Sequence, residues 1–323
     1  MRIATIGSGS IVEQFIKDAL TIEGVSFEAV YSRDKERGLN FAKPFDIGKV
    51  YTNLEDMVKD PDIDFVYIAS PNSLHYEQAM LAMEHGKHVI VEKPFAGNEV
   101  KANEMVRKAK EKNVFLFEAI CNIHMPNFEF IEENLSKLGD IKLVQCNFSQ
   151  YSSRYDALQS GETPNVFNPK FSGGALADIN IYNLHFVVRL FGLPKKINYL
   201  ANQHENGIDT SGIVTLKYDD FIVECVGAKD SASRNFGQIQ GTLGHMLVEG
   251  SVSTMDVVNL VTSDSEIEYN MQDQPRLSYE VSRFKEIYDK EDYQACHELL
   301  EHSLKVVKVA ETARRRIDMF FEF

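Results

Sequence analysis

Two hydrophobic periods take turns along the first 120 residues. Arg2–Ile6 is a short apolar run stopped by Gly7, which predicts a strand. Ile11, Val12, Phe15, Ile16, Ala19 and Leu20 then recur at helical spacing. Phe27–Tyr31 predicts a second strand, and Asp34 stands where it can cap a helix that ends before Pro44. Lys49–Thr52 is a short third strand. Asp64–Ala69 is nearly continuously apolar, the pattern of a strand covered on both faces, and Pro71 ends it. A helix over Ser73–His85 stops at Gly86, Val89–Val91 is a strand, Asn98–Lys112 a long helix and Val114–Phe117 another strand. Strand and helix in strict alternation predict a parallel, doubly wound sheet with right-handed crossovers. Such sheets bind ligands at the carboxyl ends of their strands.

The pattern changes after residue 120, so the reading divides the chain into residues 1–120 and 121–323. A helix over Asn127–Leu138 and a turn at Gly139-Asp140 lead into a long strand, Ile141–Tyr151. Residues 152–172 are polar and without period, which reads as a surface loop; a loop this long is often a lid or binding segment. Gly173-Gly174 opens a helix on which Asp178, Tyr182 and His185 fall at i, i+4 and i+7, on one face. That stripe is either a satisfied buried network or part of an active site. From Ile197 to Ile267 apolar and polar residues alternate between turns at Asn206-Gly207, Asp219-Asp220 and Leu243-Gly244, as in an antiparallel sheet with one covered face. A final helix over Tyr293–Phe320 carries Arg314, Arg315 and Arg316, read as a charged helix C-terminus.

Composition narrows the partners. With 34 Lys+Arg against 48 Asp+Glu the net charge is −14, which repels nucleic-acid backbones and anionic membranes without excluding one local phosphate site. No apolar run reaches the roughly 18 residues of a membrane span, and Met1–Phe15 lacks the pattern of a secretory signal. Cys121, Cys146, Cys225 and Cys296 lie far apart with no CxxC pair, so reduced thiols and a cytoplasmic location are expected. His85 and His88 have HxxH spacing, but no third or fourth ligand accompanies them, so no metal is expected.

The strand ends carry the candidate chemistry. In Gly7-Ser8-Gly9-Ser10-Ile11-Val12, Gly7 permits a tight turn and Gly9 lets a pyrophosphate approach the backbone. The helix that follows aims its first N–H groups at the anion. Val12 replaces the third glycine of the usual pattern. At the second strand end no acid is present for a ribose 2′-hydroxyl. Ser32, Arg33 and Arg37 either form a phosphate fork or are the solvated start of a helix; the first alternative favours NADP over NAD. Ser70, Pro71, Asn72 and His75 follow the fourth strand, and Glu92, Lys93 and Pro94 the fifth. A lysine there either faces a partly desolvated cleft or snorkels to the surface.

These pieces, in this order, resemble the glucose-fructose oxidoreductase / inositol dehydrogenase / MocA family: the GxG turn at Gly7 and Gly9, Pro71-Asn72…His75, Glu92-Lys93-Pro94, and Gly173-Gly174-Ala175-Leu176…Asp178. The resemblance implies a Rossmann domain followed by an α/β domain with a large, mostly antiparallel open sheet, and homodimers or homotetramers built through that sheet. It implies NAD(P)-dependent oxidation or reduction at a carbinol carbon of a sugar, cyclitol or diol-like small molecule. It assigns Lys93, Asp178 and Tyr182 to the catalytic positions and expects Lys93 and Tyr182 at the same nicotinamide ring. Asn122, Arg154, Asn165 and His185 are the candidate substrate contacts. Asn180 departs from the family, which commonly has Gly there. A non-catalytic NAD(P)-binding sensor of the same fold is the alternative.

Overall fold

The computed structural model describes residues 1–321. Packing divides the chain into two units: Met1–Ala119 with Gln274–Leu304, and Ile120–Asp273 with the segment from Lys305 onward.

In the first unit, β1 (Arg2–Ile6), β2 (Ser26–Tyr31), β3 (Lys49–Tyr51), β4 (Phe65–Ile68), β5 (His88–Glu92) and β6 (Leu116–Ala119) form one sheet in the order β3-β2-β1-β4-β5-β6. Every pairing is parallel, as the alternating pattern implied. The connecting helices are α1 (Ser10–Ala19), α2 (Lys35–Ala42), α3 (Leu54–Val58), α4 (His75–Glu84) and α5 (Glu99–Lys112). All four residues of β4 are buried, which is why its sequence has no polar alternation. Strand order reverses between β1 and β4, so Gly7 and Ala69–Ser70 lie at the switch point where doubly wound sheets hold ligands. Beneath it the Phe15 ring of α1 stacks on Tyr67 of β4, centroids 3.7 Å apart.

The second unit contains α6 (Pro126–Asn134), β7 (Ile141–Ser149), α7 (Tyr155–Gln159), α8 (Ile181–Phe191) and the strands β8 (Lys196–Gln203), β9 (Asp209–Lys217), β10 (Ile222–Ala228), β11 (Phe236–Gly241), β12 (Gly244–Glu249), β13 (Val257–Thr262) and β14 (Glu266–Tyr269). These strands form a sheet in the order β14-β13-β12-β11-β7-β10-β9-β8, antiparallel except where β10 runs parallel to β7. Alternation is clean. Val144, Cys146, Val214, Leu216, Val223 and Cys225 are buried on one face, while Ile213, Ile222 and Leu200 are exposed on the other.

Three expectations need correction. Residues 152–172 are not a structureless loop: α7 and two single turns fold over a core of Leu158, Phe167 and Ile208. The helix after Gly174 begins as a π-turn, Leu176–Asn180, before α8. The last helix, α10 (Tyr293–Arg315), ends five residues early, and a helix absent from the sequence reading, α9 (Ser278–Asp289), precedes it. α9 and the first half of α10 pack with the first unit: Phe284 stacks on Phe117, and the Cys296 thiol donates to the Leu116 carbonyl. Aromatic residues in both partners make that packing, which local periodicity cannot reveal. Arg314 and Arg315 do stand in the last turn of α10, as the charged helix C-terminus required, and Arg314 has a further role. It is buried, lies over the Phe321 ring, and burial lowers its guanidinium to about 10.

Candidate active site

The first unit presents an anion cradle at the switch point. Gly7 has φ +121°, and a Cβ there would come within 2.8 Å of the Ala69 carbonyl, so the turn requires glycine. Gly9 is the N-cap of α1, in extended conformation, and no side chain caps that helix. A Cβ on Gly9 would meet nothing within 4 Å, so the space over the first turn of α1 is open. Helix starts leave their first N–H groups without intrahelical partners, so Ser10 and Ile11 begin a ready anion site. Ser8 is half-buried beside them. Val12, standing where the third glycine is usual, is buried against Gly7 and serves packing.

At the end of β2, Arg33 and Arg37 are exposed and Ser32 is buried. Ser32 Oγ accepts from the Asp34 amide, and Asp34 caps α2 by accepting from the Arg37 amide. Ser32 therefore shapes the turn, and the two arginines are its exposed cations.

The residues after β4 and β5 form one clamp. His75 is buried, with Nδ1 3.2 Å from the Pro94 carbonyl and Nε2 3.0 Å from that of Ser70. Burial lowers this imidazole to about 4 against the pull of the two carbonyls, so at neutral pH the uncharged ring donates to only one of them. Ser70 Oγ donates to Gln78. Glu92 accepts from Tyr67 Oη at 2.6 Å, and burial raises its carboxyl. Glu118 accepts from the Phe95 amide. The Lys93–Pro94 peptide is cis. Lys93, half-buried, stands between Glu92 and Pro94, both hydrogen-bonded, and Pro71 and Asn72, which precede His75, are half-buried. His75 acts here as a latch joining two motifs that the sequence presents separately.

In the second unit, the glycine pair is explained by close approach. A Cβ on Gly173 would lie 2.4 Å from the Val166 carbonyl, and one on Gly174, at φ +103°, 1.8 Å from Asp209 Oδ1. Buried Asp209 accepts from the Leu176 amide and Tyr199 Oη, holding the start of the π-turn; burial raises its carboxyl. The wider π-turn shifts the phase of the expected stripe. Asp178 is about a third exposed, Tyr182 is 9% exposed with its ring 6.1 Å from Phe148, and His185 is fully buried. Asn180 bonds the Cys225 carbonyl and packs on Gly227, where a Cβ would come within 2.5 Å of its own. Asn122 is fully buried, its amide donating to the carbonyls of Tyr182 and Val252, which makes it a support beneath Tyr182. Arg154 and Asn165 are exposed at the start of α7 and of the next turn.

One residue was missed. Lys229, directly after β10, is 8% exposed and its Nζ forms an ion pair with Asp178. A lysine directly after an apolar strand is the signal that singled out Lys93, and here it was passed over. Among the described residues no group of three or more His, Cys, Asp or Glu is placed to hold a metal; His88, of the HxxH pair, accepts from the Phe115 amide.

Comparison with known proteins agrees with this architecture. Residues 1–120 match the model of an oxidoreductase family with an NAD-binding Rossmann fold, and residues 134–247 match the GFO/IDH/MocA C-terminal domain. A scyllo-inositol 2-dehydrogenase (NADP(+)) from Bacillus subtilis is 35% identical over 323 residues, covering 99% of this chain and 98% of that protein. A trans-1,2-dihydrobenzene-1,2-diol dehydrogenase from Xenopus tropicalis is 31% identical over 217 residues, 65% of this chain and 63% of that protein. Among solved structures, a 3-ketoreductase from Actinomadura kijaniata in complex with NADP and TDP-benzene shares the fold, with TM-score 0.87 and 19% identity over 98% of this chain and 97% of that one. The two-domain match and the full-length similarity lead to one conclusion: the chain belongs to the GFO/IDH/MocA family of oxidoreductases.

Proposed function

We propose that this oxidoreductase moves a hydride between NADP and a carbinol or carbonyl carbon of a sugar, cyclitol or diol, with Lys93 and Tyr182 handling the proton and Asp178 binding substrate. The observation that carries the reading is the open, uncapped start of α1 at Gly9, at the switch point of a doubly wound sheet, which suits the pyrophosphate of a dinucleotide. The exposed Arg33 and Arg37, with no acid at the tip of β2, suit a 2′-phosphate. The relatives named above carry an inositol and a cyclic 1,2-diol in their names, which places secondary alcohols first among candidate substrates.

Oxidising a carbinol removes a hydride from carbon and a proton from oxygen. The nicotinamide, when bound, takes up or supplies the hydride. The rest falls to the chain. Tyr182 Oη accepts the hydroxyl proton in oxidation and returns it in reduction. A phenol in water titrates at about 10, so it needs help near neutrality. The Lys93 ammonium gives that help by favouring phenolate and polarising a carbonyl. The hydrogen bonds to Glu92, Pro94 and Phe95 fix the backbone from which Lys93 extends, which favours preorganised electrostatic help.

The test is a screen of cyclitols, sugars and cyclic diols with NADP(H) and NAD(H), following absorbance of the reduced nicotinamide. Turnover of at least one polyol with NADP, and binding of NADPH about tenfold tighter than NADH, is expected. Binding of NADH tenfold tighter than NADPH would overturn the cofactor choice.

A further inference from the structure

Lys229 is built into the second unit more firmly than a surface lysine. Its amide donates to the Thr210 carbonyl at 2.8 Å, and its own carbonyl accepts from the Ser152 amide at 2.9 Å. The next residue, Asp230, accepts from the hydroxyls of Thr210 and Ser211, both at 2.7 Å. Asp230 thus ties the bend after β10 to β9, while Lys229 reaches Asp178. The pair is lopsided. The Lys229 side chain is 9% exposed, the Asp178 side chain 32%. A structural staple covers both partners; here a buried cation stands behind a carboxylate that is turned outward. A lysine this buried is tolerated only with a paired charge, and removing either partner strands the other.

We propose that Lys229 is a positioning residue of the reaction: its ion pair holds Asp178 aimed, so that Asp178 accepts a hydrogen bond from a second substrate hydroxyl and the site selects vicinal diols. The inference rests on the reading of Asp178 as a substrate-binding residue. A site built to bond a hydroxyl rejects analogues that lack it, because its own polar group is then left unmatched. The other titratable groups on elements packed against the π-turn are turned elsewhere or buried. Asp209 bonds Leu176 and Tyr199, Glu224 accepts from Gln145 on the open sheet face, and Cys146 and Cys225 are buried. Lys142 lies beside Asp140, and Lys217 donates to the Phe221 carbonyl. Tyr182 and His185 follow on α8, whose Arg189 pairs with Glu132.

The experiment compares Lys229→Met, Lys229→Arg and Asp178→Asn in the whole enzyme, with a cyclic diol and a mono-alcohol that is also turned over. In Lys229→Met, KM for the diol rises about tenfold or more while KM for the mono-alcohol and NADPH affinity stay put. The acid limb of the kcat/KM profile moves up in pH, because a carboxylate without its cation takes a proton more readily. Lys229→Arg restores the limb. If Lys229→Met fails to fold, Lys229→Gln, which keeps a donor and removes the charge, carries the comparison. A lowered Tm with KM and pH profile unmoved makes Lys229 a staple and overturns the inference. A silent Asp178→Asn instead overturns the assignment of Asp178 itself.

Discussion

Glu280 and Glu92 put two carboxyls into the interior of the first unit. Glu280 is 1% exposed and its Oε2 has no hydrogen bond; burial, and then the nearby Glu92, raise it well above the carboxylate range. A carboxyl whose folded value is raised contributes stability below its unfolded value, and that contribution is lost as pH rises through the folded value. Glu280→Gln, an uncharged isostere, should therefore leave stability nearly unchanged at pH 5 and raise it at pH 8, where the wild-type carboxyl is under pressure to ionise in the interior. Thermal unfolding at the two pH values checks this; an equal Tm shift at both would show that ionisation is not the cause. At this scale the sequence was legible where a residue type and its place on a strand end sufficed, as for the turn at Gly7 and Gly9. It was not legible where the partner is remote. Nothing near His75 announces Pro94 as its acceptor, and nothing near Arg314 announces that it is buried over Phe321 and feels Asp209.

Among elements, the two sheets followed from their periods: apolar runs for β4 and β5, and alternation of apolar and polar residues from β8 onward, which β9 and β10 keep over most of their length. The π-turn did not, because a single extra residue in a turn leaves the apolar spacing almost intact while rotating Asp178 out of line with His185. The open face of the eight-stranded sheet makes its own demand. Leu200 is 67% and Ile222 51% exposed, and Ile222, Leu143 and Thr215 line a shallow groove of about 430 Å³. Such an apolar face suits a second copy of the chain. With Leu200→Asp and Ile222→Asp together, light scattering at micromolar concentration should show the mass fall from a multiple of the chain to a single chain. A wild-type protein that is already monomeric would refute the proposed assembly.

For the molecule as a whole, the charge balance sets the terms of cofactor binding. A net −14 repels a polyphosphate at long range, so in the proposed reading attraction comes from short-range features: the first turn of α1 and the arginines after β2. The proposed chemistry draws on both units: Lys93 follows β5 beside the hydrogen bond from the Phe95 amide to Glu118, and the backbone carbonyl of Tyr182 accepts from Asn122. The direct test of the account is turnover of Lys93→Met and Tyr182→Phe alongside wild type, with NADPH binding followed by fluorescence in the same samples. Both variants should bind NADPH as wild type does and lose about two orders of magnitude or more in kcat; near-normal kcat in both would contradict it.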